Sequence, residues 1–82
     1  MDLEKKFAQN LIEQRQSRGL TPEELARAAS IPLDHLEAIE GGEEQPLMKV
    51  LIKLATTLEV PVDALLAGIR WDPNDGFSVA GG

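Results

Sequence analysis

The chain has 82 residues, 43% of them apolar and 27% charged, with no cysteine and a formal net charge of −6. A chain this short makes one thin-cored domain, burying roughly 60–65% of its unfolded surface. The lack of cysteine excludes a disulfide scaffold, a thiolate zinc site and a thiol nucleophile. The acidic balance points away from nucleic acid, because nonspecific affinity for phosphates comes from lysine and arginine. No apolar run approaches the ~20 residues of a membrane span. The start Met1-Asp2-Leu3-Glu4-Lys5-Lys6 does not read as a secretory leader, so the expectation is a cytoplasmic protein with no membrane association.

The spacing predicts a first helix over residues 3–18. Leu3, Phe7, Leu11 and Gln14 fall on one stripe, and Gly19 ends it as a C′ glycine. Thr21-Pro22-Glu23-Glu24 is a helix start in which Thr21 is the N-cap, Pro22 takes the first helical position and Glu24 completes a capping box. A second helix over about 22–29 then turns Leu25, Ala26 and Ala29 inward, and the chain bends sharply at Ser30. A third helix over about 32–40 buries Leu36 and Ile39, and Gly41-Gly42 stops it. Glu43-Glu44-Gln45 is a loop, and Pro46 leads into a fourth helix from Leu47 to about Leu58. Beyond Val60-Pro61, a fifth helix runs from Val62 to Ala67, with Gly68 as its cap.

The end of the chain alternates with period two. Ile69-Arg70-Trp71 and Phe77-Ser78-Val79 flank the turn formers Asp72-Pro73-Asn74-Asp75-Gly76, which predicts an extended arm or a hairpin. Ala80-Gly81-Gly82 is expected to fray. The expected organisation is a helical domain over 1–68 with a tail over 69–82. Ile69, Trp71, Phe77 and Val79 have two readings: they cover the open edge of a thin helical core, or they form a dimer contact, since aromatics favour interface centres.

The segment from Pro22 to Gly41 carries the most specific pattern. Ala26 follows Leu25, Ile31 comes five residues after Ala26, Leu36 five after Ile31, and Ile39 three after that. Two short helices crossing steeply need a small residue at the crossing and apolar residues that pin the second onto the first. With Arg15, Gly19-Leu20, Glu40, Gly42, Pro46, Leu51, Leu54-Ala55, Leu58, Val60 and Leu65-Leu66, this segment resembles the Cro/repressor-type, or XRE-type, helix-turn-helix. The resemblance covers residues 11–67. It implies an all-α, five-helix phage-repressor-like domain, a homodimer, and sequence-specific binding of double-stranded DNA by a transcriptional regulator. It also implies a partly buried structural ion pair between Arg15 and Glu40.

The same resemblance makes Thr21, Pro22, Pro32, Leu33, Asp34, Glu37 and Ala38 the DNA-facing positions. None is Arg, Lys, Gln or Asn, the usual readers of guanine and adenine. No Lys or Arg occurs from Ala28 through Met48, where Asp34, Glu37, Glu40, Glu43 and Glu44 stand. Arg18, Arg27, Lys49 and Lys53 are the candidate phosphate contacts, and Lys5 with Lys6 is a short basic patch. Two readings of the acidic stretch stay open. It is a solvated face, or it marks an interaction module that keeps the helix-turn-helix and binds a basic protein partner instead of DNA. Catalysis finds little support. His35 is the only histidine and has no companion at ligand spacing, and Ser17, Ser30 and Ser78 lack a base at motif spacing. The expectation is no enzyme activity, no metal and no cofactor.

Overall fold

The computed structural model describes residues 2–72 and 75–79. The expected turn residues Pro73 and Asn74, the expected fraying end at 80–82 and the side chain of Val79 lie outside the described residues. In chain order the elements are α1 (Leu3–Ser17), α2 (Pro22–Ala29), α3 (Leu33–Glu40), α4 (Met48–Leu58), α5 (Val62–Leu65), β1 (Ile69–Asp72) and β2 (Gly76–Val79). The two strands pair antiparallel, with Ile69 opposite Val79 and Trp71 opposite Phe77.

Each helix starts and stops for a local reason. Asp2 caps α1 by accepting from the Lys5 N–H at 3.2 Å. The capping box of α2 is closed on both sides: Glu24 N–H donates to Thr21 Oγ1 at 3.1 Å, and Thr21 N–H donates to Glu24 Oε1 at 2.9 Å. Ser30 ends α2 in the left-handed region, φ 57°. There the Ile31 N–H reaches back to the Ala26 carbonyl at 2.9 Å, so the sharp bend sits on the α2 C-cap. Pro32 and Leu47, the expected first residues of the third and fourth helices, are instead the N-caps of α3 and α4, which begin one residue later, and neither supplies a side-chain cap.

The fifth helix is shorter than the spacing predicts. It ends at Leu65 instead of running to Ala67. The cause is Asn10, a buried polar residue on α1. Its amide donates to the carbonyls of Leu65 and Ala67, both at 3.0 Å. Those acceptors are thereby satisfied without a further turn of helix.

The core is continuous. Phe7 and Leu11 of α1, Leu25 of α2, Leu36 and Ile39 of α3, Leu51, Leu54 and Leu58 of α4, and Leu65 of α5 are fully buried together. Each such side chain contributes about 1.5–3 kcal/mol through burial. Ala26, 3% exposed, is the small residue at the α2–α3 crossing. The hairpin closes the open edge of this core. Ile69 and Phe77 are buried, and the Phe77 ring lies 5.4 Å from that of Phe7 between centroids. Trp71 packs on the core only partly.

Arg15 joins three segments. Its Nε donates to Glu40 Oε2 at 2.9 Å, Nη2 to Glu40 Oε1 at 3.2 Å, and Nη1 to the Leu20 carbonyl at 2.9 Å. The side chains are only 12% and 11% exposed. This is a two-pronged guanidinium–carboxylate fork, stronger and more directional than a single contact. It also places a cation beside the C-terminus of α3, whose last turn contains no basic residue of its own.

These contacts make the stability of the fold testable in three ways. Glu40→Ala strands the Arg15 guanidinium and should cost about 3 kcal/mol in urea unfolding. Replacing both partners by leucine should recover most of that loss, and a double mutant as unstable as the sum of the singles contradicts the coupling. Thr21→Ala should cost ~1 kcal/mol. Backbone hydrogen bonding, from Thr21 to Glu24 and from Lys5 to Asp2, holds both carboxyls below their ordinary values of 4.5 and 3.8. A depressed folded value means stability that is full above the ordinary value and lost as pH falls through the depressed one. Thermal melts should therefore fall below about pH 4.5, and Glu24→Gln should flatten part of that decline.

Candidate nucleic-acid interface

The α2–turn–α3 unit sets one helix face outward. Leu36 and Ile39 anchor α3 to the core and Glu40 turns to Arg15, so Asp34 and Glu37 fall on the solvent side. Pro32, Asp34 and Glu37 are exposed, and Leu33 and Ala38 are half-buried. Thr21 is exposed and Pro22 half-buried at the start of α2. These are the residues that the resemblance assigns to DNA, and the fold gathers Asp34, Glu37 and Ala38 on one helix beside the α3–α4 loop.

A helix N-terminus attracts anions through its free N–H groups. At α2 that attraction is already met by the chain's own Glu24 carboxylate, which takes the Thr21 N–H. At α4 it is not met. Leu47 provides no side-chain cap, no acidic residue stands in the first turn, and Lys49 does. The N–H groups of Met48, Lys49 and Val50 have no partner within the helix. The α4 start is therefore the best-equipped phosphate position on this side of the molecule.

The four candidate phosphate cations do not form one surface. Arg18 Nη1 donates to Glu59 Oε2 at 2.9 Å, and Nη2 to the Glu59 carbonyl at 3.4 Å. Glu59 is the C-cap of α4, so Arg18 sits at the opposite end of that helix from Lys49, about 15 Å away. Lys49 and Lys53 lie on successive turns of α4 and make no ion pair among the described residues. Arg27 is in the last turn of α2, immediately before residues that share a groove with Lys53.

The loop after α3 is more tightly held than its composition suggests. His35 Nδ1 donates to Glu44 Oε1 at 2.7 Å, which ties the loop to α3. The lone histidine thus has a carboxylate partner that its isolation in the sequence did not reveal. Gln45 Nε2 donates to Glu4 Oε1 at 2.6 Å, and Gln45 Oε1 accepts from the Phe77 N–H at 3.2 Å. One side chain thereby connects α1, the loop and β2. Gly42, at φ +74°, lets the loop pass close to α1; a Cβ there would lie 2.6 Å from Lys5 Cγ. The Asp34 carboxylate accepts from the His35 N–H at 3.0 Å. Asp34, Glu37, Glu43 and Glu44 are all exposed, and among the described residues no Lys or Arg forms an ion pair with them.

The helix-turn-helix family HTH_3 matches residues 11–65. The HTH-type transcriptional regulator DdrOP3 of Deinococcus deserti is 36% identical over 66 residues, covering 80% of this chain and 51% of that protein. The cryptic phage CTXphi transcriptional repressor RstR of Vibrio cholerae is 33% identical over 66 residues, covering 80% and 57%. The chain spans about half the length of the curated relatives it matches. The solved structure of the restriction-modification controller protein C.AhdI from Aeromonas hydrophila aligns with a TM-score of 0.73 and 31% identity, over 76% of this chain and 94% of that one. An HTH_3 family transcriptional regulator from Vibrio cholerae aligns with a TM-score of 0.75 and 32% identity, over 90% of this chain and 41% of that one. The family match covers the two crossed helices, the fork between Arg15 and Glu40 and the helices that support them, and this chain belongs to the XRE-type helix-turn-helix family HTH_3.

Proposed function

We propose that this chain is a transcriptional regulator that binds duplex DNA as a homodimer, with α3 in the major groove. The observation that supports it most is the presentation of α3: a short helix locked by the Arg15 fork, its outer face open, beside an α4 start with Lys49 and free N–H groups. Relatives described as transcriptional regulators and a repressor support the same reading. Two copies would place their α3 helices about 34 Å apart, to meet successive major grooves. Leu33 would meet a thymine methyl, and Glu37 would accept from a cytosine amino group.

The acidic face favours a second reading. At ~4–8 Å from phosphates each of Asp34, Glu37, Glu43 and Glu44 is repelled by several tenths of a kcal/mol, even at a water-like dielectric. In this alternative the chain is a helix-turn-helix interaction module, and the carboxylates receive a basic protein partner.

Charge reversal separates the two. Glu43→Lys with Glu44→Lys removes two repulsions and adds two attractions, so affinity for any duplex at low salt should rise roughly ten-fold or more. Anisotropy with a labelled duplex measures it, and circular dichroism checks that the loop change leaves the helices intact. No gain at low salt means that this face is not presented to DNA, and the interaction-module reading then stands.

A further inference from the structure

The apolar residues that the core leaves outside are not scattered. Among the described residues, the exposed large apolar side chains are Leu47, Met48 and Ile52, all at the start or middle of α4. Met48 and Ile52 are one turn apart, so they form a stripe. They are 40% and 48% exposed, which places them well outside the core. Beside Ile52 runs a groove of about 310 Å³ between α4 and the end of α2. Ala28, Ala29 and Ser30 form one wall and Ile52, Lys53 and Thr56 the other. Small residues make the α2 wall low, and the left-handed turn at Ser30 carries the chain away from it. Lys49 and Lys53, also one turn apart, make a second stripe beside the first, with no carboxylate partner among the described residues.

We propose that the α2–α4 groove is a docking site for an acidic amphipathic segment of another protein. Its large apolar side chain lies on Ile52 and Met48, and two carboxylates about one helical turn apart pair with Lys49 and Lys53. The apolar stripe, the groove and the unpaired lysine stripe coincide here in a chain of net charge −6. Away from α4, Lys5, Lys6 and Arg70 stand on α1 and β1, where no exposed large apolar side chain is found among the described residues, so charge and apolar surface together select this groove. A phosphate backbone would use the lysines but gains nothing from Ile52 and Met48. A second copy docked across a two-fold axis at Ile52 would bring Lys53 beside its own counterpart.

The test is selection of a random peptide library on the immobilised protein, on Lys49→Glu/Lys53→Glu and on Ile52→Asp. Circular dichroism confirms the fold of each variant, and Ile52→Ser replaces Ile52→Asp if that variant unfolds. The wild type should enrich peptides in which Asp or Glu flanks a large apolar residue. The lysine reversal should turn the recovered charge to Lys and Arg, and the Ile52 change should lose the enrichment. Recovery of nothing above the Ile52 background, or of the same peptides on the lysine-reversed protein, overturns the proposal. Two other outcomes also overturn it. In one, no acidic peptide is recovered and the Ile52 change abolishes self-association in sedimentation, which assigns the groove to a second copy. In the other, no acidic peptide is recovered and the lysine reversal weakens duplex binding alone, which leaves the lysines the phosphate role of the proposed function and nothing more.

Discussion

The guanidinium of Arg15 stands where three segments meet: the end of α1, the turn before α2 and the last residue of α3. Apolar packing pins α3 through only two fully buried side chains, Leu36 and Ile39. Leu33 packs only partly at its start. The fork adds a directional polar tie at the other end, and the exposed positions of α3 take their direction from the packing and the fork together. Other polar pegs work alongside. Asn10 holds the end of α5 against α1, and Gln45 holds the α3–α4 loop against α1 and the hairpin. Among the described residues no buried side-chain polar atom lacks a partner, so these pegs add direction without an unsatisfied polar group.

A frame held this way separates scaffold from surface. Leu25, Ala26, Ile31, Leu36 and Ile39 maintain the crossing of α2 and α3, while the residues between them are free to take any chemistry. Here they have taken carboxylates. The His35–Glu44 contact and Gln45 show that the acidic loop is built into the fold. Any duplex held by α3 must therefore be held against a standing repulsion, through the α4 start and through contacts made only in a paired assembly. Among the described residues the cations without an ion pair include Lys5 and Lys6 on α1 and Arg70 on β1, but only Arg27, Lys49 and Lys53 stand on α2 and α4, where the exposed apolar stripe lies.

Much of this was legible in the sequence because it is local. The capping box of Thr21 and Glu24 spans three residues, and the bend at Ser30 and the turn at Asp75 and Gly76 are equally short-range. The apolar spacing of α2, α3 and α4 gave the buried faces directly. The pairing of Arg15 with Glu40 was reachable only through the family pattern, since nothing in the spacing of two charges 25 residues apart selects them. What escaped depends on partners distant in the chain. Asn10 reaches acceptors 55 and 57 residues away and so shortens α5. Arg18 is drawn 41 residues away to Glu59, at the C-terminus of α4. Ile52 stands off the buried stripe of Leu51, Leu54, Ala55 and Leu58, so its exposure accords with that spacing.

The central claim is that a helix-turn-helix with an acidic reading face still engages duplex DNA through phosphate contacts. Fluorescence anisotropy of the protein with a labelled pool of random duplexes, at about 50 and about 200 mM salt, tests it most directly. The account predicts binding at the lower salt that weakens steeply at the higher one. Absence of binding at low salt contradicts it, and would turn the acidic face toward a basic protein partner.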